Sequence, residues 1–187
     1  PRSGAHVRQL PTDDGAPVGE QVAHLAGLGH RRIAHVAGPA PYVHSSARRE
    51  AFRTAVRRAG LEPGPVVRGD FSGPGGAAAT ERLLALEVPP TAIVYANDLM
   101  AIAGIGVATA AGLRLPRDLS VVGFDDAPLA AHVVPALTTV RQDVEGLARA
   151  AALSLLATLE GEEPPKTPVA PSRVIWRDST AHARKPR

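Results

Sequence analysis

The sequence predicts an α/β fold in which a parallel sheet carries helices on both faces. Three observations lead there. Short apolar runs recur along the chain, each bounded by Gly, Pro or Asp; helical patterns separate them; and the apolar residues are small aliphatics, with aromatics at only 3%. Continuously apolar strands alternating with helices long enough to cross over are what a parallel sheet buried on both faces requires.

The strand candidates, in order, are 32–36 (RIAHV), 65–67, 91–95 (TAIVY), 119–124 and 137–140, with a last one at 173–176. The helical patterns cover 16–28, 47–59, 75–86, 98–111 and 144–159. Within 47–59, Phe52, Ala55, Val56 and Ala59 mark an apolar stripe at i, i+3, i+4 and i+7, and Arg49, Arg53 and Arg57 run down the other side. Arg48 lies four residues before Phe52, so it sits at the N-terminal edge of the buried stripe and points inward. The loop LRLPRD (113–118) delivers the chain to the fourth strand, with Pro116 as the stop. The Pro-rich stretch GEEPPKTPVAP (161–171) reads as a linker before the last strand.

With 187 residues and 44% hydrophobic content, the chain can bury a real core of one domain or slightly more. Cysteine is absent, which removes disulfide frameworks and thiolate chemistry and suits a reducing cytoplasm. No apolar run is long enough to span a bilayer, and the first residue is Pro1 rather than Met, so a soluble fragment of a longer protein is expected. The net charge of +3 suggests nucleic acid at first sight. Its distribution argues otherwise: Arg48, Arg49, Arg53, Arg57 and Arg58 share one helix, and Arg184, Lys185 and Arg187 lie in a tail. A solvated helix face and a disordered end account for most of the excess.

The stretch SVVGFDDAPLA (120–130) is the most informative, because an apolar strand ends there in two adjacent carboxylates. In an open parallel sheet, ligands settle outside the carboxyl ends of the strands. The residues at those ends are Gly38 and Pro39, Asp70, Asn97 and Asp98, Asp125 and Asp126, and Gln142. Carboxylates, amides and one inward arginine suit a ligand with many hydroxyls, since a carboxylate accepts two hydrogen bonds from a diol and arginine presents a planar fork. The alternative is local: Asn97 or Asp98 as a helix cap, and one of the Asp pair as a turn residue.

Enzymatic readings find little support. GIGVATAAG (104–112) lies within a helix pattern and lacks the spacing of a dinucleotide fingerprint, FSGPGG lacks the lysine of a phosphate loop, and no G-x-S-x-G elbow occurs. His30 and His35 have no third ligand nearby, so neither a metal nor another cofactor is expected.

Taken together, GHRRIAHVAGP (29–39), Arg48 to Phe52, GDFSGPGGAAATERLLAL (69–86), PPTAIVYANDLMAIAG (89–104), GLRLPRDLSVVGFDD (112–126) and PALTTVRQD (135–143) resemble the lactose-repressor (LacI/GalR) family of bacterial transcription regulators. The resemblance runs from about residue 13 to 180 and implies a type I periplasmic-binding-protein-like core of two Rossmann-like subdomains with an effector between them. It implies that Arg48, Asn97 and Asp125 grip the effector, with Gln142 on the hinge side and Tyr42 and His44 added to the binding set. It also implies a homodimer, with Ile102, Leu129 and Val133 as an apolar interface patch, and contact with operator DNA only through a helix-turn-helix head that this chain lacks.

On that resemblance, residues 1–12 are the last strand of an incomplete N-terminal subdomain and 13–141 the effector-binding subdomain. Residues 142–169 return to the first subdomain, 170–180 close the second, and 181–187 form a disordered tail. The expected function is sensing of a small polar effector, a sugar or related molecule, with allosteric control of DNA binding and no catalysis. The rivals are a periplasmic sugar-binding protein of the same fold and an α/β enzyme using Asp125 as a base.

Overall fold

The computed structural model describes residues 13–184. The strand expected within 1–12 and the end of the tail at 185–187 lie outside them. The described residues divide into two compact units, one of 14–141 with 172–184 and the other of Asp13 with 142–171.

The larger unit is built from α1 (Gly15–Gly27), β1 (Ile33–Ala37), α2 (Val43–Arg58), β2 (Val66–Arg68), α3 (Gly73–Leu84), β3 (Ala92–Tyr95), α4 (Asp98–Ala110), β4 (Ser120–Val122), a 3-10 turn (Pro128–Ala131), β5 (Thr139–Arg141) and β6 (Arg173–Ile175). Four strands form a parallel sheet in the order β2-β1-β3-β4. Side chains alternate across it, as the pleat requires. Ala34, Val36, Ile93, Tyr95 and Val121 face a core shared with Ala79 and Leu83 of α3 and Met100, Ala101 and Ile105 of α4. Ile33, Ala92, Val94 and Val122 face a second core with Val18, Val22 and Leu25 of α1 and Phe52 and Val56 of α2. Burying each such aliphatic side chain contributes about 1.5–3 kcal/mol, so a core of small aliphatics needs only a few aromatics, Phe52, Tyr95 and Phe124 among them.

Two elements differ from expectation. The fifth strand does not extend the parallel series: β5 pairs antiparallel with β6, and a single parallel bridge, Val122 to Thr138, joins this region to β4. Residues 181–184, expected within a disordered tail, are tied down. His30 Nε2 donates to the Ala181 carbonyl at 2.9 Å, the Ala183 amide donates to Leu28 at 2.9 Å, and Arg184 pairs with Asp118. Each bond satisfies a group that would otherwise have to be solvated, so the backbone has a reason to stay.

The smaller unit contributes α5 (Val144–Glu160). Asp143 caps it by accepting from the Gly146 amide at 2.9 Å, and Gly161 ends it at φ 75°. Asp143 also accepts from the Ala170 amide, which fastens the Pro-rich return to the start of the helix.

Candidate functional site

The chain steps from β1 outward to β2 and then returns to place β3 on the other side of β1. Strand order reverses between β1 and β3, and the crevice outside the carboxyl ends of strands at such a reversal is where α/β sheets hold ligands. The loops after β1, β2, β3 and β4 supply the residues found there.

After β1, Gly38 leaves room that Phe71 fills; a Cβ at Gly38 would lie 2.1 Å from the Phe71 ring. Phe71 itself adopts φ 68°, a left-handed conformation unusual for a bulky residue. Its ring stacks on His44 at 5.4 Å between centroids and meets Tyr42 at 6.0 Å, and Tyr42 and His44 stack at 5.5 Å. The α2 helix starts at Val43, a turn earlier than expected, and this brings His44 into its first turn. Tyr42 is half exposed, so the three rings make an apolar wall open to solvent on one side.

Arg48 points inward, as its position on the stripe requires, and its side chain is only 6% exposed. It donates from Nη1 to the Ala96 carbonyl at 2.6 Å and from Nη2 to Asp14 at 3.1 Å, and its guanidinium carbon lies 3.5 Å from the Phe124 ring centroid. Asp125 Oδ1 stands 3.9 Å from Nη1. Arg48 Nε is buried and has no hydrogen-bond partner among the described residues. Arg48 is therefore a structural side chain as well as a site residue, held by a buried counter-ion, a carbonyl and a ring face.

The two carboxylates of GFDD divide sharply. Asp125 adopts φ 117° and keeps its side chain 46% exposed. Burial of the part that faces protein pushes its carboxyl up to about 6, against the pull of Arg48 and with a further push from Asp14. Asp126 adopts φ 53°, and its side chain is 6% exposed. It accepts from Arg141 Nε at 2.5 Å and from Arg177 Nη2 at 2.6 Å. Burial alone would raise its carboxyl, but the hydrogen bonds from Arg177 and Arg141 and the charges of both hold it below the usual range. Asp126 is thus not merely a local turn residue: it ties the turn to β5 and to the segment after β6.

Asn97 caps α4. Its Oδ1 accepts from the Met100 amide at 3.0 Å while its Nδ2 donates to the Phe71 carbonyl at 3.0 Å, so the cap also fixes the loop that carries the aromatic wall. Asp98 is buried and accepts from Thr139 Oγ1 at 2.5 Å and from the Ala127 amide at 2.8 Å. Burial raises its carboxyl to about 6, against those two bonds and with the nearby charges of Asp125 and Asp126 adding to the rise. A Cβ at Gly123 would meet its Oδ1 at 2.2 Å, which explains the glycine. Asp70 serves its own turn, accepting from the Ser72 amide and hydroxyl.

Of the effector-binding residues expected from the sequence, the structure therefore groups Tyr42, His44, Arg48, Asn97 and Asp125 at the carboxyl ends of β1, β3 and β4. Gln142 follows β5 directly and belongs to the other unit. Phe71, Asp14 and Arg177 escaped the sequence reading. Asp14 is adjacent to a helix start and could have been noticed as a cap, but the partnerships of Phe71 and Arg177 are long-range. The expected interface residues differ in exposure. Ile102 and Val133 are partly buried against the core, whereas Leu129 is exposed and Val134, which was not singled out, is 88% exposed. Among the described residues no cluster of potential ligands could hold a metal ion, and no helix is long and apolar enough to cross a membrane.

The family described as the periplasmic binding protein-like domain matches residues 22–180. The HTH-type transcriptional regulator reg1 of Streptomyces lividans is 39% identical over 93% of this chain and 52% of its own length, so the chain spans about half of that relative. A LacI family transcriptional regulator from Bifidobacterium animalis superposes with TM-score 0.84 at 37% identity, over 96% of this chain and 66% of that one. The Lac repressor dimer bound to operator and the anti-inducer ONPF superposes with TM-score 0.83 at 31% identity, over 91% and 59%. The chain belongs to the periplasmic binding protein-like domain family, in the form carried by LacI-family transcriptional regulators.

Proposed function

We propose that this chain senses a small polyhydroxylated effector for a LacI-type transcriptional regulator, and that it does so without catalysis. The observation that carries the reading is the pairing of a half-exposed carboxylate, Asp125, with an inward arginine, Arg48, beside the open wall of Tyr42, His44 and Phe71. Asp125 accepts hydrogen bonds from ligand hydroxyls, Arg48 donates, and the rings cover an apolar face of the ligand. Asn97 holds the loop of that wall. No side chain in the group is arranged as a nucleophile with a base, which favours binding over turnover.

Effector binding biases operator affinity through a DNA-binding head of the whole regulator, in the cytoplasm, and the regulator acts as a homodimer. The Lac repressor dimer bound to operator and anti-inducer supports this part of the reading. Exposed Leu129 and Val134 supply apolar surface for the dimer contact. We also infer that residues 142–171 are completed by further chain, because α5 leaves Leu155, Leu156 and Leu159 exposed.

A thermal-shift screen of this chain against monosaccharides, disaccharides and nucleosides tests the proposal. A ligand at 100 times its dissociation constant adds about 2.7 kcal/mol and raises Tm by roughly 5–10 °C for a chain of this size. A hit converted to product during the assay would show an enzyme instead.

A further inference from the structure

The turn from Gly123 to Ala127 is fastened at every backbone amide that follows Phe124. The Asp125 amide donates to the Val140 carbonyl at 2.9 Å, the Asp126 amide to Thr139 Oγ1 at 3.3 Å, and the Ala127 amide to Asp98 Oδ2 at 2.8 Å. Two consecutive non-glycine residues there, Asp125 and Asp126, have positive φ. L side chains rarely adopt such conformations unless the surroundings over-determine them. These amide bonds hold the backbone of the turn to β5 and to Asp98, and its outer side is left to the side chains. The Asp126 side chain closes that side, with Arg141 on one oxygen and Arg177 on the other.

Arg177 is itself over-determined. Its Nη1 donates to the Leu137 carbonyl at 2.7 Å and its amide to Thr138 Oγ1 at 2.9 Å, so it is fixed to the same strand region before it reaches Asp126. Its side chain is only 16% exposed, which makes its ion pair with the 6% exposed Asp126 far less solvated than a surface pair. Arg141 is half exposed and makes the weaker member of the clamp.

We propose that Asp126 is the positioning residue for Asp125: clamped by Arg141 and Arg177, it holds the left-handed turn that stands the Asp125 carboxylate beside Arg48. The functional meaning of this clamp rests on the effector reading, but the geometry does not. Without the clamp the turn relaxes, Asp125 swings out into water, and the Arg48 fork faces the crevice with Asp14 as its remaining carboxylate partner. Segment 172–184, remote in sequence from the carboxylates, thereby becomes part of the site through one side chain.

The test follows the Asp125 carboxyl by 13C NMR titration in the ligand-free chain, with Asp125 assigned by its loss in Asp125→Asn. In the unaltered chain its midpoint is expected near 6. Arg177→Met removes a positive charge from the neighbourhood and leaves Asp126 anionic, so charge effects alone would move the Asp125 midpoint up. Release of Asp125 into water moves it down, toward the ordinary carboxylate value of about 3.9. The clamp therefore requires a fall of roughly half a unit or more in Arg177→Met, and a partial return in Arg177→Lys. Should Arg177→Met fail to fold, Arg141→Met at the half-exposed member must show a smaller fall of the same sign. A rise, or no change, in the folded variants overturns the proposal. No effector is present at any stage, so an error in the effector reading leaves the outcome intact.

Discussion

The guanidinium of Arg48 lies 3.5 Å from the centroid of the Phe124 ring, so the arginine of the site is stacked on the residue immediately before Asp125. The same guanidinium bonds the Ala96 carbonyl, immediately before Asn97. One side chain thus references the loops after β3 and β4 to α2, and site geometry and core stability share a residue.

Arg48→Ala should consequently cost stability as well as binding. It removes the buried Arg48–Asp14 pair and strips a ring face and a carbonyl of their contacts. Breaking a buried pair in this way costs about 3–5 kcal/mol, and urea denaturation should show it. Arg48→Lys keeps the charge but loses the fork, and an intermediate loss is expected. An Arg48→Ala chain as stable as the original would mean that the Asp14 pair carries no weight.

Asn97 separates capping from loop-holding. Asn97→Asp keeps an oxygen for the Met100 amide while losing the donor to Phe71, whereas Asn97→Ala loses both. The alanine variant should be destabilised by about 1–2 kcal/mol and the aspartate variant by less, in thermal melts at neutral pH. Equal losses would assign the whole effect to the Phe71 carbonyl.

Much of this was legible in the sequence. Small aliphatic runs bounded by Gly, Pro and Asp located the strands because a parallel strand buried on both faces has to be apolar throughout. The Phe52 stripe placed Arg48 inward for the same geometric reason. What escaped depends on distant chain. The run at 137–140 resembles the parallel strands, and only the arrival of 173–175 beside it makes it antiparallel. A separation of 51 positions between Asp126 and Arg177 hides their pairing, and no local pattern marks a phenylalanine at φ 68°. The early start of α2 gave no signal either, since Tyr42 makes no side-chain cap.

Acid should act on the carboxylates in opposite senses. Asp126 is held below its ordinary value, so its contribution is complete above that value and is lost as pH falls through the lowered one. Asp98 and Asp125 are raised to about 6, so the folded state binds their protons more tightly and stability falls as pH rises from about 4 toward 6. Urea midpoints of Asp126→Asn and the unaltered chain should therefore converge below pH 4. A gap between them that stays constant down to pH 2.5 would contradict the ion pairs.

Gly38→Ala should unseat Phe71, because the added methyl falls 2.1 Å from the ring. The expected result is loss of ring-current shifts on Tyr42 and His44 in NMR spectra, with a stability cost of about 1–3 kcal/mol from overpacking. Unchanged shifts would show that the aromatic wall is not built on that glycine.

Arg48 and Asp125 are proposed to hold the effector, and calorimetric titration of a ligand from the thermal-shift screen measures their part in binding. Asp125→Asn keeps the size and removes the charge, so it should weaken binding by about 1–3 kcal/mol, or roughly 5- to 150-fold, while the melting temperature does not fall. In the unaltered chain, affinity should also fall as pH drops below about 6, where Asp125 loses its acceptor form. Full affinity in Asp125→Asn, with no pH dependence between 5 and 7, would rule out Asp125 as an effector ligand.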